Sequence, residues 1–168
     1  FVATRKVRER FPEWVLESTV FRGEHTLVGR REGIGPVLAF LRDDPELRFD
    51  FLADLTAVDH LPRQPRFLVV YHLKSLPHNH RLRVKVPVPE EDPEIETATG
   101  VWPGAEWLER EVYDLFGIRF RNHPDLRRIL MPDEWEGHPL RKDFPMGLAL
   151  VGAFVIGILS DGLVMMGV

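Results

Sequence analysis

The residues from Arg81 to Val88 alternate between cationic and aliphatic side chains, and this alternation limits the possible fold more than any other feature. The cations are Arg81, Arg83 and Lys85, and the aliphatic residues are Leu82, Val84, Val86 and Val88. Successive side chains of a strand point to opposite faces of its sheet. The segment is therefore predicted to be a strand with one aliphatic face and one cationic face.

Further elements are predicted before this strand, either from helical spacing of apolar residues or from period-2 alternation. The polar turn Ser75–His80 is short enough to close a hairpin with the strand that precedes it. The predicted elements are a strand at Thr26–Arg30, a helix at Ile34–Asp44, and strands at Phe49–Leu55 and Arg66–Lys74.

A second helix is predicted near Leu108, Val112 and Leu115, which recur at helical spacing and are expected to dock on the sheet. Trp107 and Phe116 are expected to flank this apolar face.

The polar face of the same helix carries Arg110, with Glu106 four residues before it and Asp114 four residues after it. We expect Arg110 to bridge these two carboxylates. Gly117 is placed to end the helix in the left-handed conformation, with Ile118 making the accompanying hydrophobic contact.

These elements predict an α+β fold in two layers, with a small, mostly antiparallel sheet and helices packed on one face. A long extended C-terminal loop follows. One main domain is expected, because a chain of 168 residues seldom buries two cores. We divide the chain into an α/β domain at 1–120, an extended partner-binding loop at 121–147 and an apolar tail at 148–168.

The stretch from His123 to Pro145 has neither a helical nor a strand period, and prolines interrupt it repeatedly. Long irregular segments in compact domains are usually functional or disordered. This one is too apolar for a solvated linker, since it contains Leu126, Ile129, Leu130, Met131, Trp135, Leu140 and Phe144. Either the domain itself or a partner protein must supply the surface that buries them.

The composition excludes several classes of function. The absence of cysteine rules out disulfides and thiolate ligation of zinc or iron–sulfur clusters by this chain. A net charge of -4 disfavours nucleic-acid binding, and the cationic strand face, the alternative RNA site, lacks interleaved aromatic residues. No zinc site is predicted near the hairpin tip at His72, His78 and His80, because no carboxylate accompanies them locally.

Three blocks of sequence resemble a known family. They are EREVYDLFGIRF at 109–120, HPDLRRILMP at 123–132 and GHPLRKDFP at 137–145. Together they resemble the signature of the C subunit of NADH-quinone oxidoreductase, a component of respiratory complex I. The similarity extends from about Arg30 to Pro145, and such a combination is more specific than any single short motif.

The resemblance implies a peripheral-arm subunit that binds no cofactor and has no catalytic residue of its own. It would lie on the cytoplasmic face of the plasma membrane, packed on the quinone-site large subunit (D-like) and the adjacent iron–sulfur subunit (B-like). NADH, FMN, iron–sulfur clusters and quinone would be bound elsewhere in the complex, which couples electron transfer to ion pumping. Membrane-bound nickel–iron hydrogenases contain similar subunits, so the electron donor stays open.

Charged and aromatic residues in and near these blocks are predicted to bind partner proteins through ion pairs and hydrogen bonds. A stand-alone enzyme that uses His123 or His138 as acid or base is the alternative. The predicted interface consists of Glu109, Arg110, Glu111, Asp114, His123, Asp125, Arg127, Arg128, Trp135, His138, Arg141, Lys142 and Asp143.

The tail from Leu148 to Val168 is apolar and departs from the family pattern. Its uncharged run is shorter than the roughly 20 residues that span a bilayer, and a longer span would include Asp161. A membrane segment, a helix buried against a membrane arm and a packing segment of the domain are possible. We favour a fourth interpretation, a truncated or out-of-frame end of the gene.

Overall fold

The computed structural model of the protein describes residues 1–145. Its elements, in chain order, are α1 (Val2–Arg10), β1 (Val15–Phe21), β2 (Glu24–Gly29), α2 (Ile34–Asp43), β3 (Phe51–Asp59), β4 (Phe67–Ser75), β5 (His80–Val88), β6 (Glu94–Glu96), α3 (Ala105–Phe116) and β7 (Arg119–Arg121).

The main sheet has five strands in the order β1-β2-β5-β4-β3. Neighbouring strands are antiparallel except for β2 and β5, which are parallel. Short hairpins join the antiparallel neighbours, whereas the parallel pair is connected by a crossover that includes α2. The predicted α+β fold with a mostly antiparallel sheet is confirmed. A second, two-stranded sheet pairs β6 with β7 in parallel.

The alternation in β5 has the predicted consequence. Its aliphatic side chains are at most 2% exposed and belong to one core with residues of all three helices, including Val7, Val37 and Val112. Its cations lie on the opposite face of the sheet, where Arg81 is exposed and Arg83 is half-buried. The helices therefore cover one face of the sheet, as the amphipathic pattern requires.

Four elements were missing from the sequence prediction: α1, β1, β6 and β7. Helix α1 buries only two of its side chains, so its apolar stripe is narrow. Strands β6 and β7 have three residues each and pair only with each other, through a contact that local sequence does not encode. The predicted position of β3 was also wrong, because the strand runs from Phe51 to Asp59 rather than from Phe49 to Leu55.

Residues 122–145, the C-terminal segment, contain no helix or strand. The segment lies against α3 and the neighbouring end of β3. The domain itself half-buries several apolar side chains of the segment, among them Leu126, Ile129 and Trp135. The apolar tail predicted at 148–168 lies outside the described residues. Within residues 1–145, no helix has the length and apolar character needed to cross a membrane.

Candidate functional site

Gly117 ends α3 and lets the C-terminal segment approach the helix. Its φ is 74°, and its N–H donates to the carbonyl of Tyr113 at 2.9 Å. A Cβ at this position would lie 2.5 Å from His138 Nε2 and 2.5 Å from an Arg141 guanidinium nitrogen. Glycine is needed here both for the left-handed conformation and for the close contact. The predicted helix end at Gly117 is confirmed.

Asp114 is fully buried and holds the backbone of the C-terminal segment on α3. Its Oδ2 accepts the N–H groups of Ile129, Leu130 and Met131 at 3.0, 2.8 and 2.8 Å. Its Oδ1 accepts the guanidinium of Arg128 at 2.6 Å. Burial favours the neutral carboxyl, but these donors outweigh burial and hold the pKa of Asp114 below its ordinary value.

Arg128 and His138 continue this network along the segment. Arg128 Nη2 donates to the carbonyls of Trp135 and Gly137 at 2.8 and 3.0 Å. His138 Nδ1 donates to the Asp114 carbonyl at 2.9 Å, which places the proton on that nitrogen. Burial lowers the pKa of His138 below its ordinary value. We call Asp114, Arg128 and His138 with these contacts the Asp114 cluster.

The expected bridge from Arg110 to Glu106 and Asp114 is wrong. Arg110 donates instead to two backbone carbonyls of the C-terminal segment, those of Arg127 at 3.2 Å and Arg128 at 2.9 Å. The carboxylate of Asp114 is occupied by other donors. These two carbonyls have no helix or strand partner, so they compete effectively for the half-buried guanidinium.

A second cluster of charges attaches the end of the segment to the sheet. Arg66, whose side chain is 1% exposed, donates to Asp59 at 2.8 Å, to Asp143 at 2.6 Å and to Glu90 at 2.5 Å. The N–H of Lys142 donates to Asp59 Oδ2 at 2.8 Å. Burial works against the charge of Asp59, yet Arg66 and its other donors hold the pKa of Asp59 well below the usual range.

Arg141 packs between these two clusters. Its Nε donates to the carbonyl of Phe116 at 2.6 Å, at the C-terminal end of α3, where backbone carbonyls lack helical partners. Its guanidinium lies 5.2 Å from the centre of the Phe67 ring, within range of a cation–π interaction. The N–H of Leu140 satisfies another such carbonyl, that of Leu115, at 3.0 Å.

Glu109 is fully buried on α3 with fewer donors than Asp114. Its carboxylate accepts the hydroxyl of Thr97 at 2.5 Å and the N–H of Ala98 at 2.6 Å. Burial raises the pKa of Glu109 to about 7, because these two neutral donors only partly offset it.

His123 is engaged in the structure of its own chain. Its Nε2 lies 3.0 Å from the carbonyl of Glu106, and its Nδ1 accepts the N–H of Asp125 at 3.0 Å. Nε2 must therefore carry the proton, and both nitrogens are used by backbone groups. Neither ring nitrogen of His123 is free to act as a catalytic base, whereas His138 uses only its Nδ1 on a backbone carbonyl.

Some of the predicted interface residues are open to solvent. Glu111 is exposed and makes no side-chain hydrogen bond with residues 1–145. Asp125 and Arg127 form an exposed ion pair at 2.9 Å. Lys142 and Asp143 are also exposed, although both contact the domain, Asp143 through Arg66 and Lys142 through Asp59. The predicted set is thus divided between residues that fold the segment and residues that face outward.

Three exposed apolar side chains lie beside these polar residues. Trp107 is 67% exposed, Leu130 is 60% exposed and Leu140 is 53% exposed. The expectation that Trp107 flanks the core was wrong, because its position on α3 faces away from the sheet. Exposed aromatic and aliphatic residues among charged ones are typical of protein interfaces.

Sequence reasoning missed Asp59 and Arg66 as important residues. Asp59 continues the inward positions of β3 after Leu55 and Ala57, so extending the alternation would have placed a carboxylate in the core. A buried carboxylate requires a partner, and Arg66, at the far end of the following turn, supplies it. No local signal connects either residue to Asp143.

The described residues contain no group of three or more His, Asp or Glu side chains that could hold a metal ion. The full sequence contains no cysteine. Within residues 1–145, the arrangement is built from hydrogen bonds and ion pairs between parts of this chain.

Comparisons with known proteins agree with one another. The model of the family described as respiratory-chain NADH dehydrogenase, 30 Kd subunit, matches residues 27–148. The C subunit of NADH-quinone oxidoreductase from Citrifermentans bemidjiense is 55% identical over 144 residues, which cover 86% of this chain and 88% of the relative. Its counterpart from Roseiflexus sp. is 54% identical over 142 residues, which cover 84% and 82%.

Two solved structures also resemble the chain. The trypsin-resistant fragment of Nqo5 is 41% identical, with a TM-score of 0.63, over 74% of this chain and 99% of the fragment. A chain of the membrane-bound sulfane sulfur reductase, an archaeal respiratory membrane complex, is 27% identical, with a TM-score of 0.72, over 88% and 86%. The chain therefore belongs to the C-subunit family of NADH-quinone oxidoreductase, the 30 Kd subunit family of respiratory-chain NADH dehydrogenase.

Proposed function

We propose that this chain is a redox-inert brace in the peripheral arm of complex I, placed between the quinone-site large subunit and the adjacent iron–sulfur subunit. NADH, FMN, iron–sulfur clusters and quinone are bound by other chains, and electrons pass from NADH to quinone without crossing this one. The complex couples this transfer to ion pumping, and this chain attaches at the cytoplasmic face of the membrane.

The observation that carries this proposal is the way in which the C-terminal segment is fixed. Two buried charges hold a segment that has no helix or strand: Asp114 binds residues 128–131, and Arg66 binds Asp143 near its end. Ordering such a segment opposes folding by roughly 1–2 kcal/mol per residue in backbone entropy. A segment ordered in advance loses less freedom when it binds a partner, which suits a structural subunit.

The outward residues form the contact surface in this proposal. Trp107, Leu130 and Leu140 enter apolar recesses on the partner, and the charges of Asp125 and Arg127 surround them. The side chains of Glu109 and Asp114 are inaccessible, so their part in the interface is to position other residues. The same holds for Arg66, which sequence reasoning did not include.

A second candidate is the equivalent subunit of a related membrane complex with another electron donor. The likeness to a chain of the archaeal sulfane sulfur reductase favours it. The higher identity with NADH-quinone oxidoreductase subunits, 55% for one relative, favours the first proposal. A stand-alone acid–base enzyme that uses His123 is opposed by the engagement of both its ring nitrogens with backbone groups.

Purification from the native membranes tests the proposal. The full-length chain would carry an affinity tag, the membranes would be solubilised in mild detergent, and the partners would be identified by mass spectrometry. We expect the quinone-site subunit and the iron–sulfur subunit to be recovered together with NADH:quinone activity. Recovery of the chain alone, or with a hydrogenase module, would contradict the first proposal.

A pair of variants tests whether Trp107 lies in the interface with the partner. Trp107→Ser should reduce recovery of the quinone-site subunit without changing the free energy of unfolding, because the side chain is 67% exposed. Leu76→Ser is the matched control, since Leu76 is 57% exposed and lies on the β4–β5 hairpin. Equal recovery with both variants would remove Trp107 from the interface.

A further inference from the structure

The face of the main sheet opposite the helices carries a groove that the proposed brace does not use. Its volume is about 530 Å³, and it crosses β2, β5, β4 and β3 near the start of β5. In the described part of the chain no helix covers it, because the buried residues of all three helices pack on the other face. We call it the outer groove, and its lining includes Phe51, Asp54, His72, Lys74, Arg81 and Arg83.

The strand register brings cations together in this groove. Lys74 lies directly opposite Arg81, and His72 lies directly opposite Arg83. Like charges at directly opposite positions destabilise an antiparallel pair. Within residues 1–145, Arg83 has a carboxylate partner, Glu24 at 2.6 Å, whereas neither Lys74 nor Arg81 forms a salt bridge. The chain as a whole has a net charge of -4, so this concentration of cations is a local feature.

We propose that the outer groove binds an acidic segment of a partner protein, with Lys74 and Arg81 receiving its carboxylates. Arg81 presents a planar fork of donors that fits a carboxylate in bidentate geometry. A carboxylate between Lys74 and Arg81 would turn a repulsive cross-strand pair into two attractive ones. Charge complementarity thus decides the chemistry of the occupant.

The other residues of the groove favour a polypeptide over a lipid surface or a nucleic acid. The carboxylate of Asp54 lies opposite His72 and accepts no hydrogen bond from residues 1–145. A peptide has N–H groups to donate to Asp54 as well as carboxylates for the cations. Phosphate groups, the charged feature of lipid headgroups and nucleic acids, carry acceptors for the cations but no N–H group for Asp54. Phe51, which is 48% exposed, supplies an apolar contact that a peptide side chain can cover.

This surface goes beyond the proposed brace, because it lies on the opposite side of the sheet from α3 and the C-terminal segment. The chain would then contact two partners, one through each face. The two sites differ in chemistry as well as position, since the first is rich in apolar residues and the second in unpaired cations.

Photo-cross-linking in intact cells tests the outer groove. The full-length chain would carry p-benzoylphenylalanine at Ala53, an exposed residue that lines the groove. We expect irradiation to attach it to a segment of another protein rich in Asp and Glu, which peptide sequencing would identify. An adduct with a basic segment, with lipid, with nucleic acid or with a second copy of this chain would overturn the proposal, as would no adduct.

Charge reversal gives an independent measurement. Lys74→Glu combined with Arg81→Glu should lower the yield of the adduct roughly tenfold, which corresponds to the loss of about 1.4 kcal/mol of binding. Arg5→Glu is the control, because Arg5 is exposed on α1 and forms no salt bridge within residues 1–145. Replacing acids of the captured segment by Lys should restore the adduct to the reversed groove. An unchanged yield in the double variant would overturn the proposal.

The two proposals fail in different ways. Failure of the wild-type chain to co-purify with complex I subunits would contradict the proposed role in complex I. The cross-linked adduct at Ala53 could still be measured in cells. A complex that contains the chain and gives no adduct at Ala53 would overturn the outer groove alone.

Discussion

Asp114 and Glu109 lie on the same helix and are both fully buried, yet their pKa values are shifted in opposite directions. The pKa of Asp114 is below its ordinary value, whereas the pKa of Glu109 is raised to about 7. Burial disfavours the charged form of both. The opposite shifts arise because different regions of the chain lie over the two carboxylates and supply different hydrogen-bond donors.

The C-terminal segment gives Asp114 three backbone N–H groups and the guanidinium of Arg128. The turn before α3 gives Glu109 one hydroxyl, from Thr97, and one N–H, from Ala98. Hydrogen bonds from charged donors are about twice as strong as those between neutral groups. The comparison teaches that the donors brought by a distant segment, rather than burial itself, determine whether a carboxylate on this helix stays charged.

Removing the charge of Asp114 should have the largest effect on the free energy of unfolding. Asp114→Asn leaves Arg128 without its carboxylate and should lower the free energy of unfolding by about 3–5 kcal/mol at pH 7. Urea unfolding of the full-length chain measures this, and trypsin cleavage after Arg128 should become faster. Asp125→Asn is the control, because Asp125 is exposed, and its effect should stay within about 0.5 kcal/mol.

Acid should remove the difference in the free energy of unfolding between the wild-type chain and Asp114→Asn. The folded pKa of Asp114 is lowered, so its stabilising effect is present above the unfolded value of 3.8 and is lost as pH falls towards the folded value. A difference that stays constant down to low pH would show that Asp114 does not act through its charge.

Glu109→Gln should raise the free energy of unfolding, whereas Asp114→Asn lowers it. The folded pKa of Glu109 is about 7 and the unfolded value is 4.5, so the folded state binds more protons between them and stability falls as pH rises through this interval. Gln cannot ionise and should stabilise the chain by about 3 kcal/mol at pH 8, with little change at pH 4. Thermal unfolding across this range measures it, and equal pH profiles for both proteins would contradict the assignment.

Gly117→Ala tests the point where the end of α3 meets the C-terminal segment. The added methyl group meets His138 and Arg141 at 2.5 Å, and φ of 74° is unfavourable for alanine. We expect a loss of about 2 kcal/mol from backbone strain and displaced side chains. Gly100→Ala is the matched control, because nothing lies within 4 Å of its Cβ position. Equal urea midpoints for both variants would rule out the close approach.

Arg110→Ala should have the smallest effect on stability, about 1 kcal/mol, since it removes two hydrogen bonds between neutral carbonyls of the C-terminal segment and a half-buried guanidinium. The recovery of complex I subunits with the tagged chain should fall more steeply than the loss of free energy of unfolding would explain. Trp135→Ala should behave in the same way. Arg8→Ala, on exposed α1, is the control. Parallel losses of stability and recovery would contradict an interface role.

Prediction from sequence succeeded where the pattern is local. The alternation of β5 and the glycine that ends α3 each depend on neighbouring residues, and the structure confirms both. Prediction failed where two candidate partners compete. Arg110 has carboxylates one helical turn away, but the backbone carbonyls of Arg127 and Arg128 take its donors. Helical spacing gives the distance between neighbours and does not reveal what packs above them.

The candidate site was predicted as a set of residues, and the structure distinguishes their roles. Sequence reasoning gave Glu109 and Glu111 the same function, yet one is buried and the other exposed. It omitted Arg66, which pairs with Asp143, and Asp59, which accepts the N–H of Lys142, because both contacts join distant parts of the chain. Ion pairs between distant segments leave no periodic signal, so only the folded chain reveals them.

The sequence alone determined the fold class, the sheet with one aliphatic and one cationic face, and the family, because these depend on short-range periodicity and on blocks of characteristic residues. The tertiary structure decided which charges are buried, which donors each carboxylate on α3 receives and which apolar side chains stay exposed. The physical reason is that the ionisation and accessibility of a side chain depend on every group packed around it, and most of those groups come from distant parts of the chain.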